Sequence, residues 1–177
     1  MLIKKLILIA TLCFTITPRA YANVDNPETQ KAYFELGYES VYDSLERSNM
    51  YFKHEIHLPV QIPPIPFTHV VGRLNKHEDR NNSTLEIEYI NQNGSPYGIT
   101  IFPLKSKVQL SELDSNAQIF TLKDGSKAGY ITKPPNFKMI NHFYFEKNGW
   151  QYLFRVHPEV SNVITPELLV EIADSIK

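Results

Sequence analysis

Two histidines stand three apart in His54-Glu55-Ile56-His57, the densest grouping of histidines in the chain. A zinc helix of the H-E-x-x-H kind needs its histidines four apart, so that both rings leave one face. Here the spacing is one residue short, and Leu58-Pro59 stops any helix directly afterwards. In extended backbone, residues three apart point to opposite faces. The segment therefore reads as exposed edge polars, and no metal site is expected. His77-Glu78-Asp79-Arg80 mixes both charges and reads as a solvated turn. His142 and Arg155 become cross-strand neighbours if Asn148-Gly149 turns tightly between them. On an outer sheet face such a pair is worth roughly a few tenths of a kcal/mol. Were that face a groove, the planar guanidinium would suit a carboxylate or phosphate. The chain has no G-x-S-x-G elbow and no phosphate-cradling glycine loop. Catalytic residues are expected to be none, and cofactor-binding residues none.

The elements that position these residues follow an export signal. Lys4 and Lys5 supply the positive start, Leu6 to Thr17 the apolar core, and Ala20-Tyr21-Ala22 the cleavage motif. Residues 1–22 therefore read as a signal peptide, with cleavage after Ala22 releasing residues 23–177 outside the membrane. The apolar core falls short of the roughly 20 residues that span a bilayer, and no membrane span is expected downstream. The only cysteine, Cys13, lies inside the signal. The mature chain is thus cysteine-free, which excludes disulfides, thiol catalysis and thiolate metal sites. An exported domain held by packing alone fits a bacterial exterior better than an animal secretory route. Lys4, Lys5 and Arg19 leave with the signal, so the released chain is more acidic than the whole chain's net charge of −1. That balance argues against a nucleic-acid partner, which needs a basic footprint.

In the mature chain, Asn26-Pro27 is a helix start, and Phe34, Tyr38, Val41 and Leu45 follow at helical spacing. The pattern predicts one helix from Pro27 to about Arg47, with a tyrosine-rich core-facing stripe that includes Tyr33 and Tyr42. Leu58 to Phe67 is too proline-dense for a helix or a central strand. It reads as an extended connector in which Val60, Ile62, Ile65 and Phe67 pack. Beyond it the period changes to two. Val70 to Leu74 is a strand, and His77 to Ser83 a loop. Leu85, Ile87 and Tyr89 share one face, facing Ile101, Ile99 and Tyr97 on the next strand. That register calls for a three-residue loop, Gln92 to Gly94, with Gly94 left-handed. Ala117–Leu122 and Lys127–Thr132 form a hairpin with a two-residue turn at Asp124-Gly125, ended by Pro134-Pro135.

In the third hairpin, turning at Asn148-Gly149, Phe145 opposes Tyr152 and Phe143 opposes Phe154, with Trp150 and Val156 on the same face. Its other face, with Glu146, Gln151, His142 and Arg155, is expected to be wet. Thr165-Pro166 starts a C-terminal helix bearing Leu168, Leu169, Ile172 and Ile176. The fold class is therefore α+β, with an antiparallel sheet of about six or more strands built from hairpins and flanked by an N-terminal and a C-terminal helix. Residues 23–177 form a single domain, with 23–56 a helical extension and 57–177 the sheet plus C-terminal helix.

Residues 57–177 resemble the bacterial extracytoplasmic domain-of-unknown-function family 4367, found in Gram-positive spore formers. The likeness rests on Leu58-Pro59 with Ile62-Pro63, on Glu146-Lys147-Asn148-Gly149-Trp150-Gln151-Tyr152, and on the ending Thr165-Pro166-Glu167-Leu168-Leu169-Val170-Glu171-Ile172-Ala173-Asp174-Ser175-Ile176-Lys177. The resemblance implies an exterior domain, in some members tied to anti-sigma regulators, and no catalytic residues. The N-terminal helix departs from that pattern.

The reading that follows is a secreted, non-enzymatic binding module of the bacterial cell envelope, with an envelope protein, glycan or lipid as partner. One alternative is a carrier of a lipid or apolar ligand, with the tyrosine stripe and the aromatic hairpin as cavity walls. Another is an extracellular hydrolase, which requires the fold to bring His54, His57, His142 and Arg155 together.

Overall fold

A computed structural model describes residues 27–106, 117–132 and 140–177. The signal peptide with its cleavage after Ala22, and the Pro134-Pro135 stop, lie outside the described residues. The period-two segments become β1 (Glu39–Ser40), β2 (His69–Asn75), β3 (Thr84–Asn91), β4 (Gly94–Pro103), β5 (Gln118–Thr121), β6 (Lys127–Ile131), β7 (Asn141–Lys147) and β8 (Trp150–Val156). They form one antiparallel sheet in the order β1-β2-β3-β4-β8-β7-β6-β5. The run β1 to β4 thus meets the run β5 to β8 where β4 pairs with β8. The expected α+β architecture holds, with eight strands among the described residues.

The registers that face segregation demanded are present. Leu85 pairs with Ile101 and Ile87 with Ile99. Phe145 pairs with Tyr152, Phe143 with Phe154, and His142 with Arg155. Asn148 (φ 52°) and Gly149 (φ 81°) are both left-handed, as a tight primed hairpin turn requires. Two other turns differ from expectation. Asn91 pairs with Gly94, so Gln92-Asn93 is the turn, and an irregularity beside Gly94 restores the register. Gly94 (φ 112°) supplies the positive φ there. At the second hairpin the loop is Lys123–Gly125, not Asp124-Gly125 alone. Gly125 donates to the Leu122 carbonyl, Leu122 donates to that of Ser126, and the Asp124 carboxylate caps the Ser126 amide.

The expected single N-terminal helix is two helices, α1 (Pro27–Glu35) and α2 (Val41–Phe52). Gly37 (φ 83°) ends the first, and Ser40 caps the second by accepting from the Asp43 amide. The break turns the stripe apart. Tyr38 is buried, whereas Tyr42 is 73 % exposed. The connector has neither helix nor strand, and Leu58, Ile65 and Phe67 pack on the core, but Val60 and Ile62 are exposed. The polar stretch at 77–83 holds a short 3-10 turn, Arg80–Asn82.

One sheet face carries Leu85, Ile87, Tyr97, Ile99, Ile101, Tyr152, Phe154, Phe143 and Phe145. α2, the connector and α3 (Pro166–Asp174) cover it. The rings fill the core by contact with one another: Phe145 stacks on Tyr152 at 5.1 Å between centroids, and Phe143 on Phe154 at 6.0 Å. The other face is drier than expected, because Glu88, Thr100, Gln151, Ile131 and Tyr144 are buried.

Candidate binding cleft

At the end of the sheet where β4 finishes and β8 begins, Pro103 pairs with Trp150. α2 ends just above this point. Lys53 (φ 57°) closes α2 in the left-handed conformation, its amide donating to the Asn49 carbonyl, and throws the chain outward. Asn49 then accepts from the Ile56 amide through its side chain, fixing the exit. His54 consequently lies against Trp150, with 5.3 Å between ring centroids, and its Nε2 donates to the Asn148 carbonyl. Trp150 is 2 % exposed, and its Nε1 donates to the Glu55 carbonyl at 2.8 Å. Tyr152 donates to the His57 carbonyl at 2.9 Å. Burial lifts the Tyr152 hydroxyl well above the usual phenol value, and the hydrogen bond tempers the rise.

These contacts frame a cleft of about 570 Å³ lined by Phe52, His54, Arg80, Pro103, Leu104, Lys105 and Trp150, with Asn81 and Gly149 completing it. Its volume falls in the range of small-molecule sites, roughly 300–1,000 Å³. An aromatic run borders it: Tyr51 meets Phe52 edge-on at 5.0 Å, and Phe52 meets Trp150 edge-on at 5.1 Å. Arg80 lies over the Tyr51 ring at 4.9 Å and Lys76 over the same ring at 5.4 Å. The Tyr51 hydroxyl is tied to Ser83 Oγ. The described lining holds two cations and no carboxylate.

The opposite sheet face carries a second polar assembly. Arg155 donates to Glu88 at 2.5 Å across Gly98, and Ser95 donates to the other Glu88 oxygen. Beside it Arg73 and Tyr38 both donate to Glu86, while Arg73 sits over the Tyr38 ring at 4.4 Å. Burial works to raise the Glu86 carboxyl, but the hydrogen bonds from Arg73 and Tyr38 prevail and hold it below the ordinary value. Burial, then the charges of Glu86 and Glu88, push the Tyr38 hydroxyl up. α1 caps this region with Tyr33, whose ring meets Tyr38 at 5.2 Å. Every charge here has an opposite partner, which makes the assembly a structural clasp.

His54 and His57 lie with the connector on the core side. His142 and Arg155 lie together on the opposite face, so the fold does not assemble the four. Among the described residues, no three His, Cys, Asp or Glu side chains are grouped to hold a metal ion. The sequence reading gives Lys105 no role, leaves Arg80 in a solvated turn, and counts Trp150 only on the aromatic hairpin face. The available signal was the interleaving of rings and charge in Tyr51-Phe52-Lys53-His54, together with the single tryptophan after Asn148-Gly149. No family model matches the chain, and neither a curated protein nor a solved structure matches it.

Proposed function

We propose that the protein is a non-enzymatic binding module of the bacterial cell envelope, exported by residues 1–22, whose ligand seats in the cleft beside Trp150. The observation that carries this reading is the cleft: a concave site with aromatic walls and a cationic rim, held open by hydrogen bonds to buried rings. Such a combination of apolar lining and a few placed polar groups is the usual form of a small-ligand site. The resemblance of residues 57–177 to the extracytoplasmic domain-of-unknown-function family 4367 is part of the same proposal. It is carried chiefly by the ending Thr165 to Lys177. Among the described residues no helix is long and apolar enough to cross a membrane.

Trp150 is the only tryptophan and lines the cleft, so its fluorescence gives a single-site readout there. The test is a titration of residues 23–177 with separated protein, glycan and lipid fractions of a bacterial envelope. At least one fraction is expected to change the emission saturably, and Leu104→Arg, which places a long charged side chain in the cleft mouth and adds no second fluorophore, to abolish binding. Unchanged emission with all three fractions would overturn the reading.

A further inference from the structure

Several cations of the sheet are neutralised by acids, whereas among the described residues those at this cleft are not. Arg47 pairs with Glu39, Arg73 with Glu86, Lys147 with Asp124 and Arg155 with Glu88. Arg80, Lys76 and Lys105 make no ion pair with a described acid, although the whole chain has more acidic than basic residues. Arg80 and Lys76 instead both lie over the Tyr51 ring. A ring holds a cation in place without neutralising it, so the charge stays available to a third group. Tyr51 thus acts as a platform, and its hydroxyl is itself anchored on Ser83. Phe52, Pro103 and Leu104, backed by the buried Trp150, give the same cleft apolar surface, with Leu104 45 % exposed.

We infer, on the reading that this cleft is the binding site, that its ligand is a phosphate ester with an apolar or ring-shaped body. The phosphoryl group sits at Arg80 and Lys105, and the body lies against Leu104, Phe52 and Trp150. Two lining cations without a described acid beside them, and Lys76 nearby over Tyr51, match a phosphoryl group, which carries more charge than a carboxylate. Arg80 offers the planar fork that phosphate oxygens accept from, and Lys105 and Lys76 add point charge. Tyr51 is a positioning residue. It orients Arg80 and does not itself contact the ligand.

The experiment follows Trp150 emission with four probes: phenyl phosphate, inorganic phosphate, benzoate and phenyl β-glucoside. Phenyl phosphate is expected to bind about tenfold more tightly than each of the other three, because it alone joins a ring to the more highly charged phosphoryl group. Arg80→Gln should weaken phenyl phosphate about tenfold and leave phenyl β-glucoside unchanged. Tyr51→Leu should weaken phenyl phosphate similarly, and Tyr51→Phe, which keeps the ring, should restore most of the affinity. Benzoate binding as tightly as phenyl phosphate would overturn the phosphoryl assignment. Equal binding of phenyl β-glucoside, insensitive to Arg80→Gln, would also overturn it while leaving the cleft as the binding site. Absence of binding by all four probes would overturn it too, and the envelope-fraction titration would then decide the wider reading separately.

Discussion

Arg155 on β8 bonds to Glu88 on β3 across the whole width of β4, and it can do so because the residue between them is Gly98. Glu88, Gly98, Arg155 and His142 are successive cross-strand partners on one sheet face. A Cβ at position 98 would stand 2.7 Å from Arg155 Nη2 and 2.8 Å from Glu88 Oε2. The glycine is therefore the passage through which two strands that are not neighbours in the sheet are tied together.

Gly98→Ala is expected to force this pair apart. Breaking a buried ion pair costs about 3–5 kcal/mol. The Arg155 side chain keeps 25 % exposure and Glu88 7 %, so partial solvation brings the expected loss to or below the lower limit, at about 2–3 kcal/mol. Urea unfolding of four proteins measures it: the native chain, Gly98→Ala, Glu88→Gln with Arg155→Met, and the combination. The alanine should cost about 1 kcal/mol or less once the pair is gone. An equal cost in both backgrounds would show that Gly98 serves the backbone and not the passage.

Glu86 makes stability depend on pH in one direction. Its folded carboxyl lies below the ordinary value of 4.5 because Arg73 and Tyr38 outweigh the burial that opposes ionisation. A lowered acid contributes its full stabilisation above the ordinary value and loses it as pH falls through the folded value. Unfolding free energy should therefore drop as pH goes from about 5 toward the folded value, and Glu86→Gln should flatten part of that drop. Chemical unfolding at stepped pH reads both slopes. An unchanged slope in the variant would assign the acid sensitivity to other carboxylates.

The strands and their registers were legible because both halves of each hairpin carry a face that has to match. Leu85 and Ile87 can meet Ile101 and Ile99 in only one alignment, and Asn148-Gly149 allows only one for Phe145 and Tyr152. The helix break was hidden because Phe34, Tyr38, Val41 and Leu45 keep helical spacing through Gly37 although they belong to different elements. The dryness of the second face was hidden because Glu88 and Arg155 look like solvated charges until Gly98 lets them meet. The cleft was hidden for a further reason. It is assembled from the end of α2, the turn at Arg80–Asn82, the end of β4 and the start of β8, and each of these is locally ordinary.

Trp150 and Tyr152 together hold the segment after α2 onto the sheet, through the carbonyls of Glu55 and His57. Both donors are on the core face of β8, two residues apart, and both acceptors belong to a stretch with no helix or strand bonds of its own. Tyr152→Phe leaves the His57 carbonyl without its donor and is expected to cost about 1–2 kcal/mol. Trp150→Phe also removes ring volume and should cost about 2–4 kcal/mol. The two losses should not add, because once one bond is gone the segment is already loosened at the other. Amide exchange locates the effect. The Ile56 amide, bonded to the Asn49 side chain between the two staples, should exchange faster in each variant, while Ile99 and Phe154 in the paired strands keep their protection. Uniform acceleration across the sheet would mean that these hydrogen bonds support the whole fold and not the wall of the cleft.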